Sequence, residues 1–135
     1  VGEGEQRVKL EELIKEFSLD DIVFLQGYHK NPIPFLKEAD VFVSSSLSEG
    51  FPLVICEALC LGLPVVATKN AGSEEILGKG KYGLLTEQDE FLLYKALKAV
   101  IENVALRDDL RNKALERAEL FNESAIMDQI YTVLG

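Results

Sequence analysis

Ser48-Glu49-Gly50-Phe51-Pro52-Leu53-Val54-Ile55-Cys56-Glu57-Ala58-Leu59, continued by Cys60-Leu61-Gly62-Leu63-Pro64-Val65-Val66-Ala67-Thr68, decides the reading of this chain. From Leu53 to Leu61 every residue is apolar except Glu57. A helix with that pattern is buried nearly all round. A carboxylate on it is costly unless a partner satisfies it, because an unpaired buried charge costs several kcal/mol. Either the protein or a ligand must therefore meet Glu57. Pro52 suits the first helical position, and helix N-termini attract phosphate. One short segment thus joins an anion site, a loop carboxylate at Glu49 and a buried carboxylate at Glu57. Gly62 stops the helix, and Pro64-Val65-Val66-Ala67 reads as a buried strand.

Outward from that segment, helical and strand patterns alternate. Glu5 to Phe17 carries Leu10, Leu13, Ile14 and Phe17 as a helical stripe. Ile22-Val23-Phe24-Leu25 reads as a strand ending at Gly27. Pro34 to Ala39 gives one or two helical turns, and Val41-Phe42-Val43 a second buried strand leading to Ser44-Ser45-Ser46. Ser73 is placed to cap a short helix over Glu74 to Leu77. Gly83-Leu84-Leu85 is a fourth strand. Helices follow over roughly 90–104, 107–121 and 123–134. Continuous apolar strands alternating with helices predict an α/β fold with a parallel sheet.

The 135 residues suffice for one domain, 1–135. No apolar run approaches the 18 or so residues of a membrane span. The chain opens at Val1-Gly2 without an initiator Met or secretory signal, which reads as a fragment of a longer protein. A net charge of −9 argues against nucleic-acid partners and anionic membrane surfaces. Cys56 and Cys60 suit small core residues in a reducing, cytoplasmic setting.

Ligands of open α/β sheets bind at the carboxyl ends of the strands. Four loops fall there: Gly2-Glu3-Gly4, Gly27-Tyr28-His29, Ser44 to Phe51, and Thr68 to Ser73. His29 has no placed carboxylate and reads as a polar rim residue rather than a catalytic base. The serines 44–46 lack the glycine pattern of a nucleophile elbow. Gly2-Glu3-Gly4 does not complete a dinucleotide fingerprint.

At these residues the chain resembles the carboxyl-terminal, donor-nucleotide domain of family-four (group 1) glycosyltransferases of the GT-B fold. Glu49-Gly50-Phe51-Pro52 through Glu57-Ala58 carries the resemblance, followed by Gly62-Leu63-Pro64-Val65-Val66-Ala67-Thr68. Val1-Gly2-Glu3-Gly4, Val23 to Tyr28, Ala39 to Val43, Gly72 to Leu77 and Gly83-Leu84-Leu85 extend it in order over about residues 1–121. It implies a Rossmann-like parallel sheet with helices on both faces, truncated at its N-terminus. It also implies sugar transfer from a nucleotide diphosphate sugar, with retention of configuration, to a glycan, lipid or small-molecule acceptor, as in polysaccharide biosynthesis. Glu57 would then accept hydrogen bonds from ribose hydroxyls, and Glu49, the catalytic candidate, would face a donor-sugar hydroxyl. The backbone N–H groups of Gly50, Phe51, Leu53 and Val54 would meet sugar hydroxyls and the distal phosphate. Tyr28 and His29 would border the base, and Gly2 and Gly4 would line the same edge.

The departures from the family pattern are as informative. Its basic pair on the diphosphate has no match among the 14 basic residues here. Its acceptor domain is absent from this chain, and through that domain the full-length cytoplasmic protein would sit peripherally at the inner membrane. No Asp-x-Asp occurs, so neither metal nor other cofactor is expected. The fragment alone is therefore expected to be inactive. A nucleotide-sugar epimerase of the same fold and a non-enzymatic α/β interaction module remain as alternatives. With its first strands missing, the strand at 22–26 is expected either to re-pair against 41–45 or to find a second chain, giving self-association.

Overall fold

The computed structural model describes residues 6–46 and 53–122, and the chain divides into two compact units, Val1–Phe35 and Leu36–Gly135. In the first unit, α1 spans Arg7–Glu16. Its end is a reciprocal backbone clasp: Ser18 N–H donates to Lys15 O and Leu19 N–H to Ile14 O, with Ser18 in the left-handed region at φ 54°. Leu19 O then accepts from the N–H groups of both Ile22 and Val23.

The expected strand at 22–26 does not form. Residues 23–26 belong to no ladder, and only an isolated bridge occurs, at Gly27. The run has strand-like composition, but β structure exists only where a neighbour supplies the hydrogen bonds. No described segment forms a ladder with 23–26, and Phe24 is 65% exposed. The division between the units falls within α2, Ile33–Glu38.

The second unit is built on three parallel strands in the order β1 (Phe42–Ser44), β2 (Val65–Thr68), β3 (Leu84–Thr86). The register sets Phe42 beside Val65 and Val66 beside Leu84. All four β2 residues are buried, as the centre of a two-sided sheet requires. Among the described residues β1 pairs with β2 alone, so re-pairing of 22–26 against β1 is not what completes the sheet. A cavity of about 670 Å³ lies beside β1, lined by Asp40, Val41, Val43, Leu97, Ile101, Arg107 and Arg111. Asp40 and Val41 precede β1, so this cavity flanks the strand's start rather than its carboxyl end.

The helix α3 (Leu53–Cys60) joins β1 to β2. Its end is the glycine-dependent version of the same clasp: Gly62 N–H donates to Leu59 O and Leu63 N–H to Ala58 O. Gly62 has φ +74°, and a Cβ there would also press on Leu115 at 3.2 Å. The helix α4 spans Ala71–Ile76. Gly83 leads into β3 at a crowded point, where a Cβ would lie 2.9 Å from Leu77 and 3.0 Å from Val65 O.

After β3, α5 (Glu90–Glu102) is capped by Asp89, whose carboxylate accepts from Leu92 N–H. It packs with Val66 and with Leu110 of α6 (Val104–Asn122) in one apolar cluster. Asn103 caps α6 through Leu106 N–H. Farther along, Arg117 donates to Ile76 O at 2.8 Å and lies over the Tyr82 and Phe121 rings. These contacts, with Leu115 at Gly62, set α6 against the segments that lead into β2 and β3. The expected last helix, 123–134, lies outside the described residues. No described helix is long and apolar enough to cross a membrane.

Candidate functional site

Glu57 sits in the middle of α3 between Cys56 and Ala58, with Ile55 and Leu59 also buried. The residue is 3% exposed. Its Oε2 is fully buried and has no hydrogen-bond partner among the described residues. Burial pushes its carboxyl above the usual carboxylate range. Of the two outcomes for Glu57, satisfaction by the protein or by something else, the described residues favour the second for this oxygen.

The cysteines are inert by the same environment. Burial, reinforced by Cys60, pushes the Cys56 thiol up to about 12. Cys60 is raised by burial and then by Glu57. Neither forms a thiolate near neutral pH, so both act as packing residues. Among the described residues no group of three or more His, Cys, Asp or Glu could hold a metal ion.

The start of α3 carries two further candidates, Leu53 and Val54, both half-buried. As first-turn residues their N–H groups have no acceptor within the helix. The dipole of α3 adds partial positive charge at that end. Glu49, Gly50, Phe51, Gly2 and Gly4 lie outside the described residues.

Tyr28 and His29 belong to the first unit. Tyr28 is 74% exposed. His29 Nε2 donates to Gln26 O at 2.9 Å, and its ring packs on Phe35 at 4.7 Å. These two contacts hold the imidazole in place.

A polar cluster that sequence reasoning missed lies at the carboxyl ends of β1 and β2. Asn70, not Ser73, caps α4: its Oδ1 accepts from Ser73 N–H at 2.9 Å. Ser73 Oγ accepts in return from Asn70 N–H at 3.0 Å. That hydroxyl also donates to Thr68 O at 2.7 Å. Thr68 Oγ1 donates to Ser46 O at 2.8 Å, and Asn70 Nδ2 donates to the same carbonyl at 3.1 Å. Asn70-x-x-Ser73 after a strand was the available signal, since a polar pair three apart marks a reciprocal cap. The next loop is tied in as well. Lys69 N–H donates to Thr86 O, the Lys69 ammonium meets Glu87 at 2.8 Å, and Gln88 donates to Lys69 O. Three consecutive strand ends are thus cross-linked, with the start of α3 beside them in sequence.

Comparison with known proteins bears on this arrangement. The family model described as "Glycosyl transferases group 1" matches residues 1–117. A Campylobacter jejuni N-acetylgalactosamine-N,N'-diacetylbacillosaminyl-diphospho-undecaprenol 4-α-N-acetylgalactosaminyltransferase is 36% identical over the full chain, which covers 38% of it. The sucrose-phosphate synthase of Thermosynechococcus elongatus superposes with a TM-score of 0.79 at 32% identity, over 97% of this chain and 35% of that one. Anabaena HepE, solved in complex with UDP, gives a TM-score of 0.77 at 28% identity over 93% of this chain and 35% of its own. The chain therefore spans between a third and two-fifths of the relatives it matches. The Rossmann-like parallel sheet with its helices is that of GT-B glycosyltransferases.

Proposed function

The chain belongs to the group 1 glycosyltransferases, and on that premise we propose that it is the donor-binding part of a retaining transferase that takes its sugar from a nucleotide diphosphate sugar. The observation that carries this reading is the buried Oε2 of Glu57, which has no partner among the described residues. A carboxylate can accept two hydroxyl protons at once, which matches the paired hydroxyls of a ribose. The same pairing, if left unmade, costs stability with no return. Glu57 thus receives the ribose, and the N-terminus of α3 receives the distal phosphate through the N–H groups of Gly50, Phe51, Leu53 and Val54. Glu49, just before the helix, faces the donor sugar. The UDP bound by HepE makes uridine diphosphate the first probe.

The acceptor is a glycan or lipid-linked glycan held by a part of the full-length protein outside this chain. The diphospho-undecaprenol named for the C. jejuni relative supports that class. The 135 residues therefore transfer no sugar alone. Attachment to the membrane, if the acceptor is lipid-linked, belongs to the rest of the protein.

Calorimetric titration of the full-length protein with uridine diphosphate tests the reading. Wild-type protein binds it, and Glu57→Gln weakens binding by about 1–3 kcal/mol, the scale of charged hydrogen bonds. Unchanged affinity in a folded variant would make Glu57 a structural residue.

A further inference from the structure

We propose that the donor site is proton-gated: Glu57 stands as a neutral acid in the free protein, and the arriving ribose displaces its proton to solvent. The inference rests on the reading of Glu57 as the ribose acceptor given above. Glu57 is 3% exposed, and its Oε2 has no hydrogen-bond donor among the described residues. Its neighbours Ile55, Cys56, Ala58 and Leu59 on α3 are buried with it. An ionised carboxylate oxygen in that place has neither water nor a donor, and a buried group answers that cost by taking a proton. Burial accordingly raises the carboxyl above its usual range.

Among the described residues no group packed against α3 supplies a countercharge. The elements against it are α6, α4, β1 and β2. Neither β1 nor β2 holds a titratable side chain. Glu74 and Glu75 of α4 are exposed, as are Glu116 and Glu119 of α6. Lys113 is paired with Asp109, and Arg107 and Arg111 line the cavity beside β1. Arg117 reaches this region, where it opposes the burial that raises the Cys56 thiol. Its guanidinium is committed to Ile76 O and to the rings of Tyr82 and Phe121. On α3 itself both thiols keep their protons, burial being reinforced at Cys60 by Glu57. The two hydroxyls of a ribose supply what the helix lacks, and hydrogen bonds to the charged form favour it. The Glu57 O–H bond breaks, the proton passes to the buffer, and the carboxylate accepts from both hydroxyls. The free-state value thus lies above the bound-state value. Donor binding therefore tightens as pH rises through the window between them and levels off above the free-state value.

The test is calorimetric titration of the full-length protein with uridine diphosphate glucose from pH 4 to 8, in paired buffers of different ionisation enthalpy. The diphosphate of that probe is esterified at both ends, so no ligand proton titrates in that range. Wild-type affinity is expected to fall by up to about tenfold per pH unit as pH drops through the window, with up to one proton released per donor bound. Glu57→Gln should bind more weakly at pH 8 and show neither the slope nor the release. Infrared difference spectra of wild-type protein read the same step directly. Inside the window, adding the probe should remove the band of a protonated carboxyl and raise that of a carboxylate. A flat wild-type affinity with no proton release overturns the inference and leaves the donor-site reading standing. A slope that persists in a folded Glu57→Gln variant overturns it too, by assigning the proton to another group. Should the variant not fold, the wild-type infrared spectra decide, and a carboxyl band unchanged by bound probe overturns the proposal. A wild-type protein that binds neither uridine diphosphate nor the probe at pH 8 removes the donor-site reading itself, and this inference with it.

Discussion

Glu57→Gln offers a perturbation in which stability and binding move in opposite directions. Glutamine keeps the length and shape of glutamate and removes its charge. In the free protein Glu57 is 3% exposed and its Oε2 lacks a hydrogen-bond donor among the described residues. Burial holds its carboxyl above the ordinary carboxylate range. A folded-state pKa raised above the unfolded value means that the native state binds the extra proton. The associated stability is complete below the ordinary carboxyl pKa and is lost as pH rises through the folded value. Wild-type protein therefore declines over that window, and the glutamine variant does not. At neutral pH the variant should be the more stable by about 1–2 kcal/mol, the lower part of the range for an unsatisfied buried group, because its amide is only partly satisfied too. In a full-length protein of more than 150 residues that corresponds to a rise in Tm of roughly 2–8 °C at most. At pH 4 the two should melt together.

Ligand closes the gap, and reverses the order where the binding loss lies in the upper part of its range. At a hundredfold excess over Kd, uridine diphosphate should stabilise wild-type protein by about 2.7 kcal/mol and the variant by much less. Thermal melts of the full-length protein across pH 4 to 8, with and without uridine diphosphate, read both effects. A variant less stable than wild type at neutral pH would refute the reasoning, since it would mean that a protein donor satisfies Glu57. An undiminished ligand shift would refute it equally.

The purified 135-residue chain should form no glycoside from any nucleotide sugar, and measurable product would contradict its role as a donor-binding part. Glu49→Ala in the full-length protein should depress turnover of the sugar donor while leaving uridine diphosphate affinity nearly intact; equal loss of both would assign Glu49 to the nucleotide instead. The isolated chain should self-associate, because β1 has a single ladder partner among the described residues and the apolar run at Ile22 to Phe24 is exposed. A monomer by light scattering at high concentration, as stable as the complete domain, would count against that. Arg117→Leu should destabilise the fold by about 1–3 kcal/mol, since it removes the charged donor on Ile76 O and the cation over Phe121. Denaturant unfolding reads it, and a change below a few tenths of a kcal/mol would show the clamp to be idle.

Much of this architecture was legible in the sequence, and the exceptions have a common cause. The buried helix, its stop at Gly62 and the strand after it follow from a continuous apolar run broken by one glycine. Glu57 stood out because a lone carboxylate in such a run demands a partner. The strand expected at 22–26 failed because a ladder is a property of two segments, and composition describes only one. Asn70 rather than Ser73 caps α4, since both residue types cap and only geometry tells the N-cap from the third residue after it. The two bonds onto Ser46 O left no trace at all. Side-chain donors reaching a backbone carbonyl across more than 20 positions have no spacing rule to betray them. The missing partner at Glu57 Oε2 was likewise invisible, because the sequence shows a cost without showing who bears it.

The central claim is that Glu57 waits for the hydroxyls of a ribose. Titration calorimetry of full-length wild-type protein and Glu57→Gln with uridine diphosphate and with its 2′,3′-dideoxy analogue tests it as a double-mutant cycle. Loss of the hydroxyls should weaken wild-type binding about tenfold or more and the variant's binding hardly at all, because the shared interaction is already gone. Equal losses in both proteins would show that Glu57 and the ribose do not meet.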